Sequence, residues 1–342
     1  MRKKFYPSAL LFLFLLFVPL VAQEEIESAQ TTQNAEAKVR KPQKIITLQN
    51  NIVVTNLVGD SLLIGTDFGE VLELKLEESS PKLLVKLPDI ASFYAESYAP
   101  KVYSVDRLGE RILIHSEGNY GTKNLFVFSK GHLEALPNVE SLNIKKAAFV
   151  NEAQIFLGLA SNEIMLYDLN KKQILYRKQL SEASFSDFAL EIPSNRYVVT
   201  CESGILYFGS IDSGEVIAEL EGENKDNVYQ VKFSKVGDTM TFIAAGQDRH
   251  AGVYRLNLKT NRVESYGIVA DFLVYSVGLS ADSTLGAYMQ NEQSDICIFK
   301  TDSKEEVAKL LGHKSLLNNI IFVDSKQIIS SEDGRNILIW NL

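Results

Sequence analysis

The stretch Gly312–Leu342, GHKSLLNNIIFVDSKQIISSEDGRNILIWNL, limits what this chain can fold into more than any other. A Gly-His pair opens it, and two short apolar runs follow, Asn318–Val323 and Gln327–Ser331. A polar turn, Glu332-Asp333-Gly334, then leads into a third run, Ile337–Trp340. Short apolar runs divided by turn residues, with no helical period, predict β-strands. The unit is therefore three strands in a row.

The unit recurs in degraded form along the chain. Positions equivalent to Trp340 fall at Leu74, Phe128, Tyr167, Gly209, Leu256 and Phe299, separated by gaps of 54, 39, 42, 47, 43 and 41 residues. Their mean of about 44 lies inside the 40–45-residue period of propeller repeats built from four-stranded blades. Six of the seven units are followed by a fourth apolar run, and the last is not. The run KIITLQ, Lys44–Gln49, precedes the first strand of the first unit and has no other place. It is predicted to serve as the missing fourth strand, so that the chain ends share a blade and leave no open sheet edge.

The Gly-His and Trp-Asn brackets of the last unit make it resemble a WD repeat. That resemblance implies a seven-bladed, all-β propeller of WD-repeat type, closed by strand 44–49. It also implies a buried hydrogen-bonded set in the last blade. His313, a serine (Ser331 or its neighbour Ser330), Asp333 and Trp340 match the family's residues in kind. Asp333 stands one residue further from the tryptophan than in the family, and the other units keep only fragments, such as Tyr167-Asp168. On this reading His313 is structural rather than catalytic.

The first residues carry a different message. Arg2, Lys3 and Lys4 precede an apolar run from Ala9 to Val21, with Ala22 as a cleavage position. This is the order of a secretory signal peptide, and the run is short of the ~20 residues that span a bilayer. Export to the periplasm by the Sec route, with residues 1–22 removed, is the expectation. Residues 23–43, rich in Glu, Ala, Gln and Thr, are expected to be a disordered tether. Removing residues 1–22 takes three positive charges and moves the net charge from −8 to −11. Such a protein repels nucleic acid and anionic lipid, so no nucleic-acid partner and no membrane insertion of the mature chain are expected. The two cysteines, Cys201 and Cys297, fall two units apart and are expected to stay unbridged.

Signatures of catalysis are missing. The four histidines, His115, His132, His250 and His313, have no metal-site spacing, and no haem-attachment, phosphate-cradling or nucleophile-elbow motif occurs. No catalytic, metal or cofactor-binding residue is assigned, and no cofactor is expected.

Binding is placed instead on loops. In antiparallel blades, the connection from one blade to the next lies on the same face as the turn between strands two and three. Two unusual segments share that face at the second unit: the insertion PDIASFYAESYAP, 88–100, and the Gly-rich turn EGNYGTKN, 117–124. They present Phe93, Tyr94, Tyr98 and Tyr120, aromatic side chains of the kind that anchor interfaces. Arg249 and His250, in the corresponding turn of the fifth unit, are polar candidates for the same partner.

The layout, and the stretch Lys101–Phe128, KVYSVDRLGERILIHSEGNYGTKNLFVF, resemble the NapL-type accessory propellers of periplasmic nitrate reductase systems. The resemblance implies a non-catalytic, monomeric accessory protein that binds reductase subunits or their maturation factors without holding the molybdenum or haem cofactor. Two alternatives stand beside it. One is a scaffold for envelope or outer-membrane protein assembly, and the other a propeller that binds a ligand or works as an enzyme through its central channel.

Overall fold

A computed structural model of the chain describes residues 37–94 and 96–342. The expected signal peptide, residues 1–22, and the tether as far as residue 36 lie outside the described residues. Within them the chain forms seven sheets, antiparallel except for one edge pairing, and no α-helix. Five sheets follow the strand order of the sequence, the other two each add a strand from the N-terminal segment, and the seven are the blades of a propeller. The third strands are Glu70–Lys75, Lys123–Ser129, Glu163–Asp168, Leu206–Ser210, His250–Asn257, Ile296–Lys300 and Asn336–Asn341. They coincide with the seven predicted from the repeat.

Register shows the units to be equivalent residue by residue. Trp340 stands opposite Ile328, and the positions predicted to match it stand opposite the same place on their own second strands. Leu74 faces Leu62, Phe128 faces Ile112, Tyr167 faces Ile155 and Leu256 faces Met240. In two blades the bulk is shared unequally. Tyr197 faces Gly209, and Gly286 faces Phe299. A Cβ on Gly209 would come 2.3 Å from the Tyr197 ring, and one on Gly286 would come 2.4 Å from the Phe299 ring. One large ring fills the space from either strand, so the volume persists while the residue changes sides.

The ring closes as the strand count required. Lys44–Thr47 pairs antiparallel with Asn336–Asn341 and becomes the outer strand of blade seven. The preceding residues correct the predicted tether. Lys38–Arg40 pairs parallel with Glu306–Leu310 and adds a fifth strand to blade six, so the ordered chain begins before Lys44. Between these two pairings Pro42 lies against Gly312, whose φ of +154° places its backbone where Pro42 Cδ would be 3.2 Å from a Cβ. Composition made the segment look unstructured because it buries little surface. The outer edge of blade six gives it backbone hydrogen-bond partners, which composition does not report.

No single core lies at the centre. Seven apolar clusters form instead, one at each blade-to-blade interface. Every sheet is covered on both faces, which is why second strands such as Ser61–Thr66 are buried throughout their length.

The first strands ring the axis and pack on one another all the way round. Their inner edges have no further strand to pair with, and side chains of the preceding blade meet the backbone there. Asn56 donates to the Val105 carbonyl at 3.0 Å, and Ser104 Oγ accepts from the Ala147 amide at 3.1 Å. Lys146 donates to the Phe188 carbonyl at 2.8 Å, while Asp187 accepts from the Val231 amide at 3.1 Å. Gln230 accepts from the Val277 amide at 3.0 Å, and Asn319 donates to the Thr55 carbonyl at 2.8 Å. The junction of blades six and seven differs. A Cβ at Gly278 would lie 2.9 Å from Ile320, and Gln230 reaches past blade six to the Asn318 carbonyl at 3.2 Å. A polar girdle thus ties the blades at the axis.

Candidate functional site

The two unusual loops meet on the face that carries the blade-to-blade connections. Ile90 and Tyr98 exchange backbone hydrogen bonds of 2.9 and 3.0 Å, which pin the base of the 88–100 insertion, and Ile90 is buried. The 117–124 turn holds itself by the Gly118 amide to the Thr122 carbonyl at 2.8 Å. At its apex Tyr120 takes a φ of +55°, a left-handed conformation that costs a non-glycine residue about 1 kcal/mol or more. Two bonds stitch the loops together. The Tyr120 amide donates to the Ala91 carbonyl at 2.9 Å, and the Ala91 amide donates to Asn119 Oδ1 at 2.8 Å. The stitch fixes the strained turn and presents its ring.

Phe93 and Tyr120 consequently pack ring against ring, their centroids 4.9 Å apart, yet both stay largely in solvent at 76% and 55% exposure. Tyr94 beside them is 99% exposed. Tyr98 differs, being half-buried at the base of the insertion. Burial first, and then the neighbouring Glu117, push its hydroxyl above the usual tyrosine range. Tyr98 therefore supports the loop, and Phe93, Tyr94 and Tyr120 form the accessible surface. Arg249 and His250 are not part of it, because they lie three blades further round. Arg249 is exposed with a φ of +64°, whereas His250 Nδ1 turns back to the Asp248 carbonyl at 2.9 Å.

Two aromatic residues on this face escaped the sequence reading. Phe68, 51% exposed, sits in the second-to-third turn of blade one with the Lys86 ammonium 3.6 Å above its ring. The following Gly69 lies against Pro100, at the end of the insertion. Tyr103 carries the Lys123 ammonium 4.4 Å from its ring centroid and packs over His115. An aromatic residue inside the polar turn Asp67-Phe68-Gly69 was the available signal.

The buried set of the last blade keeps His313 and Trp340 but takes a different acid than expected. His313 Nε2 lies 2.6 Å from Ser330 Oγ, and Trp340 Nε1 donates to the same oxygen at 2.7 Å. His313 Nδ1 lies 2.9 Å from Glu332 Oε2, which also accepts from the Lys314 amide at 3.0 Å. Of the two candidate serines Ser330 takes the place rather than Ser331, Glu332 replaces Asp333, and strand parity is the reason. Residues 330 and 332 point to one face, while Ser331 points to the other and meets Thr55 Oγ1 at 2.9 Å. Burial alone would raise the Glu332 carboxyl, but hydrogen bonds from His313, Lys314 and Asn336 outweigh it and hold the group below its usual range. This set stabilises the blade and is closed to solvent.

Neither a protein-family model nor a curated protein matches the chain. Among solved structures, it is similar to the β-propeller domain of Myceliophteria thermophila Cps50 (Swd1). The TM-score is 0.68, the identity is 15%, and the match covers 89% of this chain and 99% of that one. The likeness is one of fold.

Proposed function

We propose that this propeller is a non-catalytic binding platform whose partner protein docks on the Phe93–Tyr94–Tyr120 cluster. The observation that carries the reading is the stitched loop pair, which holds three apolar rings in water at the cost of a left-handed tyrosine. Backbone strain retained at an exposed site points to function, and rigid aromatic side chains anchor interfaces at small entropic cost. The resemblance of Lys101–Phe128 to the NapL-type proteins narrows the partner to subunits or maturation factors of a periplasmic nitrate reductase. The charged, apolar and small-residue order of residues 1–22 supports export to the same compartment.

Crosslinked capture from periplasm tests this. The chain is expected to enrich reductase subunits or their maturation factors, and Phe93→Ala/Tyr94→Ala/Tyr120→Ala to lose them at an unchanged melting temperature. Retention by the triple variant would remove the cluster from the interface. Enrichment of outer-membrane assembly proteins instead would overturn the nitrate reductase reading.

A further inference from the structure

A second feature of the same face runs against the overall charge of the chain, which has 43 acidic and 35 basic residues. Where blades two to five converge on the axis, several lysines gather. Lys145 projects from the bulge that opens the first strand of blade three. Lys123 lies over Tyr103, and Lys146 and Lys232 stand on the first strands of blades three and five. Lys146 is paired, its Nζ 2.7 Å from Asp187 Oδ1, and the other oxygen of Asp187 is taken by the Val231 amide. Among the described residues, no carboxylate lies within ion-pair distance of Lys123, Lys145 or Lys232. Burial, then the charge of Lys146, pushes the Lys232 amine down to about 8, against an upward pull from Asp187. Burial and Lys145 likewise lower Lys123, against an upward pull from Glu117. Three lysines thus stand here with no carboxylate at ion-pair distance, and Asp187 and Glu117 offset their charge only from further away.

A cleft of about 370 Å³ opens at this point, lined among others by Lys145, Ser184, Ser186, Asn227 and Tyr229. Its walls are held in place. Tyr229 stacks on Tyr275 at 4.9 Å and donates to Gln247 at 2.7 Å, while Ser186 donates to Asn227 Oδ1, and among the described residues the Asn227 side-chain amide nitrogen has no acceptor. Glu202 also lines the cleft, from the second-to-third turn of blade four and so further from the axis. We propose that the cleft binds a small oxyanion, contacted by Lys145, the Ser184 hydroxyl and the Asn227 amide that Ser186 orients, with Lys123 and Lys232 supplying the surrounding positive potential. The site stands independently of the aromatic cluster.

Calorimetric titration of the full chain with inorganic phosphate, against chloride at matched ionic strength, tests it. Saturable phosphate binding is expected. Lys145→Met should weaken it about tenfold, the worth of one charge-assisted hydrogen bond. Lys232→Met should weaken it only a few-fold, and by less as salt is raised. Lys82→Met, on the outer strand of blade one, should leave it unchanged. Acetate in place of phosphate separates the sources, since binding of both identifies a carboxylate-accepting site and binding of phosphate alone a phosphate site. No heat beyond the chloride control from either anion, or full binding by both Lys145→Met and Ser186→Ala, would overturn the proposal.

Discussion

At the scale of single residues, the last blade and His115 show opposite ways of burying an imidazole. His313 has both nitrogens bonded, and Trp340 shares its serine. Trp340→Ala should lower stability by about 3–5 kcal/mol in urea titration, the cost of a large buried aromatic. Ser330→Ala should lose less, because it leaves the ring in place. His115 is fully buried, and neither ring nitrogen makes a hydrogen bond of normal geometry. Burial, followed by the charges of Lys123 and Lys145, pushes it down to about 3, against a slight upward pull from the Ile144 backbone. Its folded value lies below its unfolded value, so the neutral ring is tolerated above about pH 6.5 and stability falls as pH drops below that. His115→Phe should remove this loss. The variant's advantage over the parent should grow by roughly 2 kcal/mol between pH 7 and pH 5. An identical pH profile in the two proteins would place the acid sensitivity elsewhere.

At the scale of elements, period-2 alternation decides more than residue identity. Serine and an acid were foreseen for the last blade. Which serine and which acid followed from the face each presents, so Ser330 was selected over Ser331 and the acid moved by one position along the strand, from Asp333 to Glu332. The same logic explains the girdle. Polar side chains two to four residues into six of the seven first strands reach the next blade, because an inner edge strand leaves backbone groups that need partners. The loops are a case where sequence pattern went far. The length of the 88–100 insertion and antiparallel geometry placed both segments on one face, and the structure joins them by two hydrogen bonds. Exposure then separated Tyr98 from its three neighbours, which residue type could not do.

At the scale of the whole molecule, stability rests on closure. Each blade buries its faces only against its neighbours, so opening one interface exposes two apolar surfaces. A chain beginning at residue 44 keeps the outer strand of blade seven and loses only the three-residue strand on blade six. It should be less stable by about 1–2 kcal/mol, a few backbone hydrogen bonds. A chain beginning at residue 48 loses both and should unfold over a broad transition with a lower midpoint. If it unfolds as sharply as the parent and at the same urea concentration, closure by the N-terminal segment contributes nothing.

The sequence by itself determined the number of blades, their order and the strand that closes the ring. These depend on apolar spacing and on counting strands, which the chain carries locally. Only the tertiary structure decided the fifth strand on blade six, the exchange of bulk between Tyr197–Gly209 and Gly286–Phe299, the identity of the buried acid, and the unpaired lysines at the channel mouth. Each depends on which residues of distant segments meet across a blade interface or the axis. No local period records those meetings.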